Sequence, residues 1–258
     1  MGDEPAIRFT DVCVSSQGLR SRLLEPPGNA AEHTILDGVS FEIAPGDVLS
    51  ILGESGGGKT TLLRCINRMV DAESGNVEVL GRNVRQWDVR ELRRSAIFVP
   101  QRSFLFGGSV RQELIHALRW NGRGPIKMPF GEVLEAVGLK VDQKQPADEL
   151  SEGQRHRLCI ARALLLFPKI LLLDEPSGAL DVRTAREVLA SIRHWAAGHQ
   201  TTLVCVTHRP EDLDTLGGDA LILLGGKVSG RYAARDLLDG KVNADTSTFL
   251  GSSSRETA

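Results

Sequence analysis

A glycine-rich segment with a lysine and a threonine offers a site for phosphate groups. Residues 53–60 read Gly-Glu-Ser-Gly-Gly-Gly-Lys-Thr and match the pattern G-x-x-x-x-G-K-[ST] in full. Glycines let a loop curl so that backbone N–H groups point at a phosphate, and a following helix adds the positive end of its dipole. Lys59 would reach the outer phosphate oxygens, and the Thr60 hydroxyl would ligate Mg²⁺. A flexible glycine turn is the alternative, and the strand and helix predicted on either side argue against it.

Two adjacent carboxylates follow an apolar run further along the chain. Ile170 to Leu173 is followed directly by Asp174 and Glu175, at the C-terminal end of a predicted buried strand, where open α/β sheets bind ligands. Asp174 would hold Mg²⁺, directly or through water. Glu175 would orient and polarise an attacking water, because a phosphoryl transition state is stabilised mainly by positioning and charge. Alone, such a pair is more often a strand end that turns into solvent; the upstream glycine loop favours the catalytic interpretation.

The elements that must position these residues include a strand before each motif and a helix after the first. Val48 to Leu52 is predicted as a buried strand, and the helix runs from about Lys59 to Met69. Ile7 to Val14 and Val39 to Ile43 alternate apolar and polar side chains, which predicts strands with one buried face. Val77 to Leu80 is predicted as a further strand. The N-terminal part of the chain is therefore expected to be rich in β-structure.

The pattern changes in the second half of the chain. Residues 109–139 are predicted to be helical, and Ser109 and Gln112 fit a capping box. Beyond this helical insert, the apolar runs 170–173 and 203–206 are predicted as strands, with a helix between them. This β-α-β alternation implies an α/β fold with a mainly parallel sheet.

Composition and charge exclude several classes of protein. The chain has 258 residues, 41% apolar and 25% charged, enough to bury a core in one large domain or two lobes. The net charge of −2 and the pI near 6.3 provide no basic stripe, so nucleic acid is not an expected partner. No leader-like segment is recognised at the N-terminus. The most apolar stretch, 158–173, is interrupted by Arg162, Pro168 and Lys169, so the chain is not expected to cross a membrane by itself.

Several further motifs, in their order along the chain, resemble those of the ATP-binding cassette (ABC) ATPases. Leu150-Ser151-Glu152-Gly153-Gln154 is similar to the ABC signature and lies between the glycine loop and the Asp174-Glu175 pair, as that family requires. Gln101 is similar to the family's Q-loop glutamine. The segment 177–181 is similar to its D-loop, and His208 to its switch histidine. The resemblance spans nearly the whole chain. It implies a P-loop NTPase (RecA-like) core with a mainly parallel sheet, an N-terminal antiparallel β subdomain and a helical subdomain.

The resemblance also implies roles for these residues. Ser151 and Gln154 fit a second capping box, whose helix N-terminus can bind an anion. By resemblance, Ser151 and Gly153 contact the γ-phosphate of ATP bound to a second copy, which implies a head-to-tail homodimer. His208 would contact the γ-phosphate, and Gln101 would touch Mg²⁺ or water and carry a conformational signal toward a permease. The predicted catalytic residues are Lys59, Gln101, Glu175 and His208; the nucleotide-binding residues are Gly53, Glu54, Ser55, Gly56, Gly57, Gly58, Lys59, Thr60, Thr61, Ser151, Gly153 and Gln154; the metal-binding residues are Thr60, Gln101 and Asp174.

The sequence departs from the family at the adenine contact. The family usually places an aromatic residue near the end of the first strand, where this chain has Ser15 and Ser16; its single tyrosine is Tyr232. We therefore expect weaker discrimination between bases, with a residue of the segment from Ser15 to His33 taking the contact. Glu152 replaces the commoner glycine of the signature, a change that the family tolerates.

The function implied is that of an ATP-binding and ATP-hydrolysing subunit, in the cytoplasm and peripheral on the inner face of the cell membrane, that powers an integral membrane permease formed by another chain. The domain is expected over 5–230, with the helical subdomain inserted at about 104–156 and a short extension at 231–258 that ends in a loose, Ser- and Thr-rich tail. For the solute, the sequence resembles both small metal- or iron-export cassettes and phosphate-import cassettes. A soluble ABC-type ATPase without a transport role is the alternative function.

Overall fold

The computed structural model describes residues 4–16, 33–120 and 130–256. Strands and helices alternate over most of these ranges. The strands, in chain order, are β1 Ile7–Ser15, β2 Thr34–Ile43, β3 Val48–Gly53, β4 Ser74–Val79, β5 Arg82–Asn83, β6 Ala96–Val99, β7 Ile170–Asp174, β8 Thr202–Val206, β9 Asp219–Leu224 and β10 Lys227–Ala233. The α-helices are α1 Lys59–Ile66, α2 Val89–Ser95, α3 Val110–Trp120, α4 Phe130–Ala136, α5 Glu152–Leu164, α6 Val182–Gly198, α7 Pro210–Leu216, α8 Ala234–Leu238 and α9 Ala244–Glu256.

An antiparallel sheet forms the N-terminal lobe, in the order β2-β1-β4-β5. Its buried face follows the alternation of the sequence, and the rings of Phe9 and Phe41 stack there with centroids 4.7 Å apart. The strand predicted at 39–43 begins earlier, at Thr34. Gly38, with a φ of +62°, interrupts the regular alternation of apolar and polar residues. The first half of this strand therefore does not show the period of two that predicts a strand.

A six-stranded sheet forms the centre of the molecule, in the order β10-β9-β3-β8-β7-β6. The strands from β9 to β6 are parallel, and β10 is antiparallel to β9. Every residue of β7 and β8 is buried, as expected of parallel strands covered on both faces. The fold class predicted from the sequence is confirmed. The carboxyl ends of β3, β7 and β8 meet at one edge of this sheet, and the glycine loop, the Asp174-Glu175 pair and His208 follow directly from these ends.

The predicted capping boxes both form. At the start of α3, Ser109 N donates to Gln112 Oε1 (2.7 Å) and Gln112 N donates to Ser109 Oγ (3.3 Å). At the start of α5, Ser151 N donates to Gln154 Oε1 (2.9 Å) and Gln154 N donates to Ser151 Oγ (3.3 Å). Each box satisfies backbone N–H groups that a helix leaves unpaired at its first turn. The part of the predicted helical insert at 121–129 lies outside the described residues.

The first helix is shorter than predicted. Helix α1 ends at Ile66 rather than near Met69. Arg68 has a left-handed φ of +54°, and Met69 N donates to Arg64 O (2.8 Å), so the chain closes the helix in a reversing turn. Because the helical spacing of apolar residues continues through Met69, the sequence pattern does not show that the helix ends at Ile66.

The C-terminal segment contains a helix where the sequence predicts a loose tail. Helix α9 runs over Ala244–Glu256. Asn243 caps it, because Thr246 N donates to Asn243 Oδ1 (2.8 Å), and the same side chain donates to Ser229 O on β10 (2.8 Å). Thr246 is fully buried. Contact with β10 therefore overrides the low helix propensity of a Ser- and Thr-rich segment.

Among the helices of the described ranges, none has the length and apolar character that crossing a lipid bilayer requires.

Candidate nucleotide site

The glycine loop joins the C-terminal end of β3 to the start of α1, and two of its glycines are required by close backbone neighbours. A Cβ at Gly53 would lie 2.0 Å from Leu223 O on β9. A Cβ at Gly58, where φ is +92°, would lie 2.6 Å from Ile35 O on β2. The loop is thus held between β9 and β2, and only glycine fits these two positions.

Lys59 lies inside this loop. Its side chain is 8% exposed, and Nζ donates to Gly53 O (2.8 Å) and Glu54 O (2.6 Å). Burial lowers the pKa of Lys59, and the nearby carboxylates of Glu175 and Asp174 partly offset this effect. The ammonium group is therefore a buried positive charge beside backbone N–H groups and the N-terminus of α1, an arrangement suited to a polyphosphate.

Thr60 and Asp174 provide two oxygen ligands next to the loop. Thr60 Oγ1 donates to Asp174 Oδ1 (3.0 Å). Burial raises the pKa of Asp174, and the hydrogen bond from Thr60 opposes the rise. A hydroxyl and a buried carboxylate are the hard ligands that Mg²⁺ takes together with phosphate oxygens. These two residues fit that ion.

Glu175, Gln101 and His208 converge beside the glycine loop. Gln101 Nε2 donates to Glu175 Oε2 (2.6 Å), and His208 Nδ1 lies 3.6 Å from the same oxygen. Glu175 has a left-handed φ of +51°, and its N–H donates to Val206 O (3.0 Å) at the end of β8. The backbone geometry turns the chain sharply out of β7, while the side chain of Glu175 remains at the site.

A buried aspartate connects the segment that carries His208 to the segment after Glu175. Asp212 is 3% exposed and accepts hydrogen bonds from Ser177 Oγ (2.5 Å) and Thr207 Oγ1 (2.6 Å). Arg209 Nη1 donates to Ser177 O (3.2 Å) and Leu180 O (3.3 Å). The loop 177–181 and the start of α7 are therefore fixed to each other on both sides of His208.

The Ser151–Gln154 segment does not lie in this pocket within one chain. Ser151 caps α5 and is exposed, and Gly153 lies in the first turn. A Cβ at Gly153 would be 2.9 Å from Leu180 Cδ2 and 3.2 Å from Ala179 O, so a glycine allows α5 to approach the loop 177–181. A second copy of the chain would be needed to place these residues on a nucleotide.

The site is a cavity of about 880 Å³, within the range of small-ligand pockets. The structure brings together the glycine loop with Lys59, Thr60 and Thr61, and also Gln101, Glu175 and His208; other lining residues are His33, Ile35 and Phe249. Sequence reasoning missed Ile35 and Phe249. Neither carries a local signal: Ile35 lies at the start of β2, in the half of the strand that the alternation did not predict, and Phe249 lies in a helix that a Ser- and Thr-rich composition does not predict. Residues 17–32, part of the segment expected to contact the base, lie outside the described residues.

A strand, glycine loop and helix with an internal lysine, and acidic and amide side chains at the ends of neighbouring parallel strands, define a P-loop nucleotide-binding protein. A family profile described as "ABC transporter" matches residues 36–178. The methionine import ATP-binding protein MetN of Nocardia farcinica is 32% identical over 257 residues, which cover 97% of this chain and 74% of that protein. The chain belongs to the ABC transporter family.

Two further comparisons agree with this membership. The sulfate/thiosulfate import ATP-binding protein CysA of Mycobacterium tuberculosis is 35% identical over 223 residues, which cover 85% of this chain and 63% of that protein. The chain thus spans less than two thirds of the length of that relative. A dimeric ATP-binding cassette solved with ADP and phosphate bound superposes with a TM-score of 0.75 at 25% identity and covers 89% of this chain and 99% of that one.

Proposed function

We propose that this chain binds and hydrolyses ATP as the motor subunit of an ABC transporter and works with a permease formed by another chain. One observation carries the proposal. Lys59, Gln101, Glu175 and His208 line a single cavity at the glycine loop, where the carboxyl ends of parallel strands meet. This is the arrangement that phosphoryl transfer requires, because positioning and charge supply most of the catalysis.

Each residue has a role that follows from its contacts. The glycine loop and Lys59 bind the phosphates of ATP through N–H groups and a buried positive charge. Glu175 orients and polarises the attacking water, and the hydrogen bond from Gln101 (2.6 Å) fixes one of its oxygens. His208, close to the same oxygen, donates toward the terminal phosphate. Thr60 and Asp174 would hold Mg²⁺, with the carboxamide oxygen of Gln101 as a further ligand; the ion neutralises charge on the outer phosphates.

Two copies of the chain are proposed to enclose each nucleotide. Ser151 and Gly153 lie at the N-terminus of α5, and neither is among the residues that line the cavity of their own chain. A helix N-terminus with a free face suits a phosphate presented by a second subunit. Head-to-tail pairing would give two such sites per homodimer. The dimeric cassette described above supports this arrangement.

The permease is proposed to dock on the cleft between β6, α3 and α5. This cleft, of about 470 Å³, is lined by apolar residues that include Phe98 and Phe106 and is bordered by Arg90, Arg93 and Arg94, all three exposed. Phe106 is 39% exposed. An amphipathic helix with an acidic residue would match both the apolar surface and the positive rim. Gln101 follows Pro100, which lines the same cleft, so movement there reaches Glu175.

The direction of transport is proposed as import, and the location as the inner face of the membrane. The relatives named above are import ATP-binding proteins, which favours import over the metal or iron export that the sequence also suggests. Phosphate import remains within this proposal. The solute itself is contacted by the permease.

The decisive test replaces Glu175 by glutamine, which keeps the shape of the side chain and removes its charge. We expect Glu175→Gln to bind ATP, to lose at least about 100-fold in hydrolysis and to elute as a dimer with ATP and Mg²⁺ in size-exclusion chromatography. Lys59→Ala should bind ATP poorly and remain a monomer. Glu187→Gln, at an exposed position on α6, is the matched control and should behave as the original protein does.

Two outcomes would overturn parts of this proposal. Hydrolysis by Glu175→Gln at the original rate would remove Glu175 from its role. Co-expression with a candidate ABC permease from the same organism tests the partner: Phe106→Glu should abolish co-purification and leave basal hydrolysis intact. A chain that hydrolyses ATP but neither binds that permease nor responds to it would instead be a soluble, non-transport ATPase.

A further inference from the structure

The residues that line the cavity form two chemically different groups. The first group comprises the glycine loop with its lysine and the polar side chains of Gln101, Glu175 and His208, which suit charged phosphates and their attack by water. The remaining lining residues are His33, Ile35 and Phe249, which offer an imidazole, an aliphatic side chain and a phenyl ring. A nucleotide bound with its phosphates on the loop must place its base against residues other than the phosphate ligands, and among the described lining residues these three are left for that contact.

Phe249 is held in place by the C-terminal helix α9, outside the matched residues 36–178. Thr246, one turn earlier, is fully buried and lies 3.4 Å from both Ser229 Oγ and Tyr232 Oη. Residues three apart share a helix face, so Phe249 also faces the body of the protein. It packs against the cluster that contains Leu52 and Ile222. Leu52 immediately precedes Gly53, so the position of the ring is tied to that of the glycine loop.

The serines near the end of β1 are already engaged. Ser15 Oγ donates to Glu73 Oε1 (2.6 Å) and Ser15 N donates to the same oxygen (3.0 Å). Ser16 Oγ accepts a hydrogen bond from His33 N (3.2 Å). Both residues are 8% exposed. They offer no ring to a base, and their hydroxyl groups are used within the protein.

We propose that Phe249 contacts the face of the nucleotide base, so that the C-terminal helix forms part of the substrate site. This inference rests on the proposed function. Stacking on a phenyl ring is tolerant of base identity because every base has a π-face. The ring therefore increases affinity for nucleoside triphosphates without selecting adenine over guanine, and ATP and GTP are bound and hydrolysed with similar efficiency.

The test separates the base from the phosphates. Phe249→Ala is expected to weaken ATP binding about tenfold, since base–aromatic stacking is commonly worth that factor or more. Its affinity for inorganic tripolyphosphate, which has no base, is expected to be unchanged. Phe249→Trp should retain ATP affinity. Leu250→Ala, an apolar truncation on the same helix, is the matched control and should stay within about twofold of the original affinity. Isothermal titration calorimetry with Mg²⁺ measures both ligands.

The outcomes distinguish this inference from the proposed function. Equal affinity of Phe249→Ala and the original protein for ATP would overturn it. Equal losses for ATP and tripolyphosphate would overturn it as well, because the ring would then act only by supporting the helix. A strong preference of the original protein for ATP over GTP would show that the base is recognised by hydrogen bonds instead. Failure of the original protein to bind or hydrolyse ATP would contradict the proposed function itself.

Discussion

Asp212 is the position whose replacement should reveal most about how the site is held together. Its carboxylate is 3% exposed and accepts hydrogen bonds from Ser177 Oγ and Thr207 Oγ1 at 2.5 and 2.6 Å. Asp212→Ala removes the shared acceptor and leaves two hydroxyl donors unsatisfied. Hydrogen bonds to a charged group are each worth about 1.5–3 kcal/mol. We therefore expect the free energy of unfolding to fall by about 3–5 kcal/mol.

Two further variants refine this expectation. Asp212→Asn keeps an acceptor oxygen in place and should cost about 1–2 kcal/mol, because only the charge is lost. Asp214→Ala, whose side chain is 69% exposed, is the matched control and should change the unfolding free energy by less than about 0.5 kcal/mol. Urea unfolding followed by circular dichroism gives all three values, provided that the slope m is unchanged.

The functional consequence is measured in parallel. Asp212 lies between the loop 177–181 and the segment that carries His208, so its loss should displace His208 and reduce ATP hydrolysis by at least about tenfold. A cost below about 1 kcal/mol for Asp212→Ala, or an effect no larger than that of Asp214→Ala, would refute the reasoning. So would full hydrolysis by a variant that has lost the expected stability.

Three other predictions concern separate parts of the chain. Burial lowers the pKa of His156 below its ordinary value of 6.5, although the Pro100 and Pro176 carbonyls and the charge of Glu152 oppose the shift. As the pH falls, the histidine of the unfolded chain therefore takes up a proton before that of the folded chain. The free energy of unfolding should then decrease as the pH drops below about 6.5. Thermal unfolding at pH 7.5 and 5.5 should show this loss, His156→Gln should reduce it, and an equal loss in both proteins would contradict the assignment. Gly153→Ala should preserve ATP binding by the single chain but weaken ATP-dependent dimerisation, because its Cβ would crowd Ala179 O and Leu180. Size-exclusion chromatography tests this, and undiminished dimerisation would count against the proposed contact of Gly153 with a nucleotide bound to a second copy. Asn243→Ala should cost about 1–2 kcal/mol by removing the cap of α9, visible as faster hydrogen exchange at 244–250 with unchanged exchange in β7; protection equal to that of the original protein would show that the cap is dispensable.

The parts of the fold predicted from the sequence are those with local signals. The strand–loop–helix unit at Val48–Ile66 carries its own periodicity and glycine pattern, and both capping boxes are defined by residues three apart. The order of strands along the chain, with helices between them, was enough to predict a mainly parallel sheet. The strand-end argument placed Glu175 at the glycine loop, whereas the sites of Gln101 and His208 were implied by the resemblance to the ABC family; the shared edge of the parallel strands gives the physical reason why all three meet.

The missed features depend on contacts between segments far apart in sequence. Phe249 lines the cavity only because α9 packs on β10, and nothing in a Ser- and Thr-rich sequence predicts that contact. Asp212 lies 35 residues from Ser177, and its role appears only when β7 and β8 are adjacent. Ile35 contributes through a strand that Gly38 interrupts. In each case tertiary packing, rather than local preference, decides the role.

The left-handed backbone of Glu175 has a consequence for how this protein can fail. An L-residue in this conformation costs roughly 1–2 kcal/mol relative to glycine, and the carboxylate that we propose orients the attacking water occupies that strained position. Replacement of Glu175 by glycine would relieve the strain. The inactive variant should therefore fold stably and escape the degradation that removes misfolded proteins. Such a chain would accumulate as an intact but inert copy and would compete with active copies for every partner that they share.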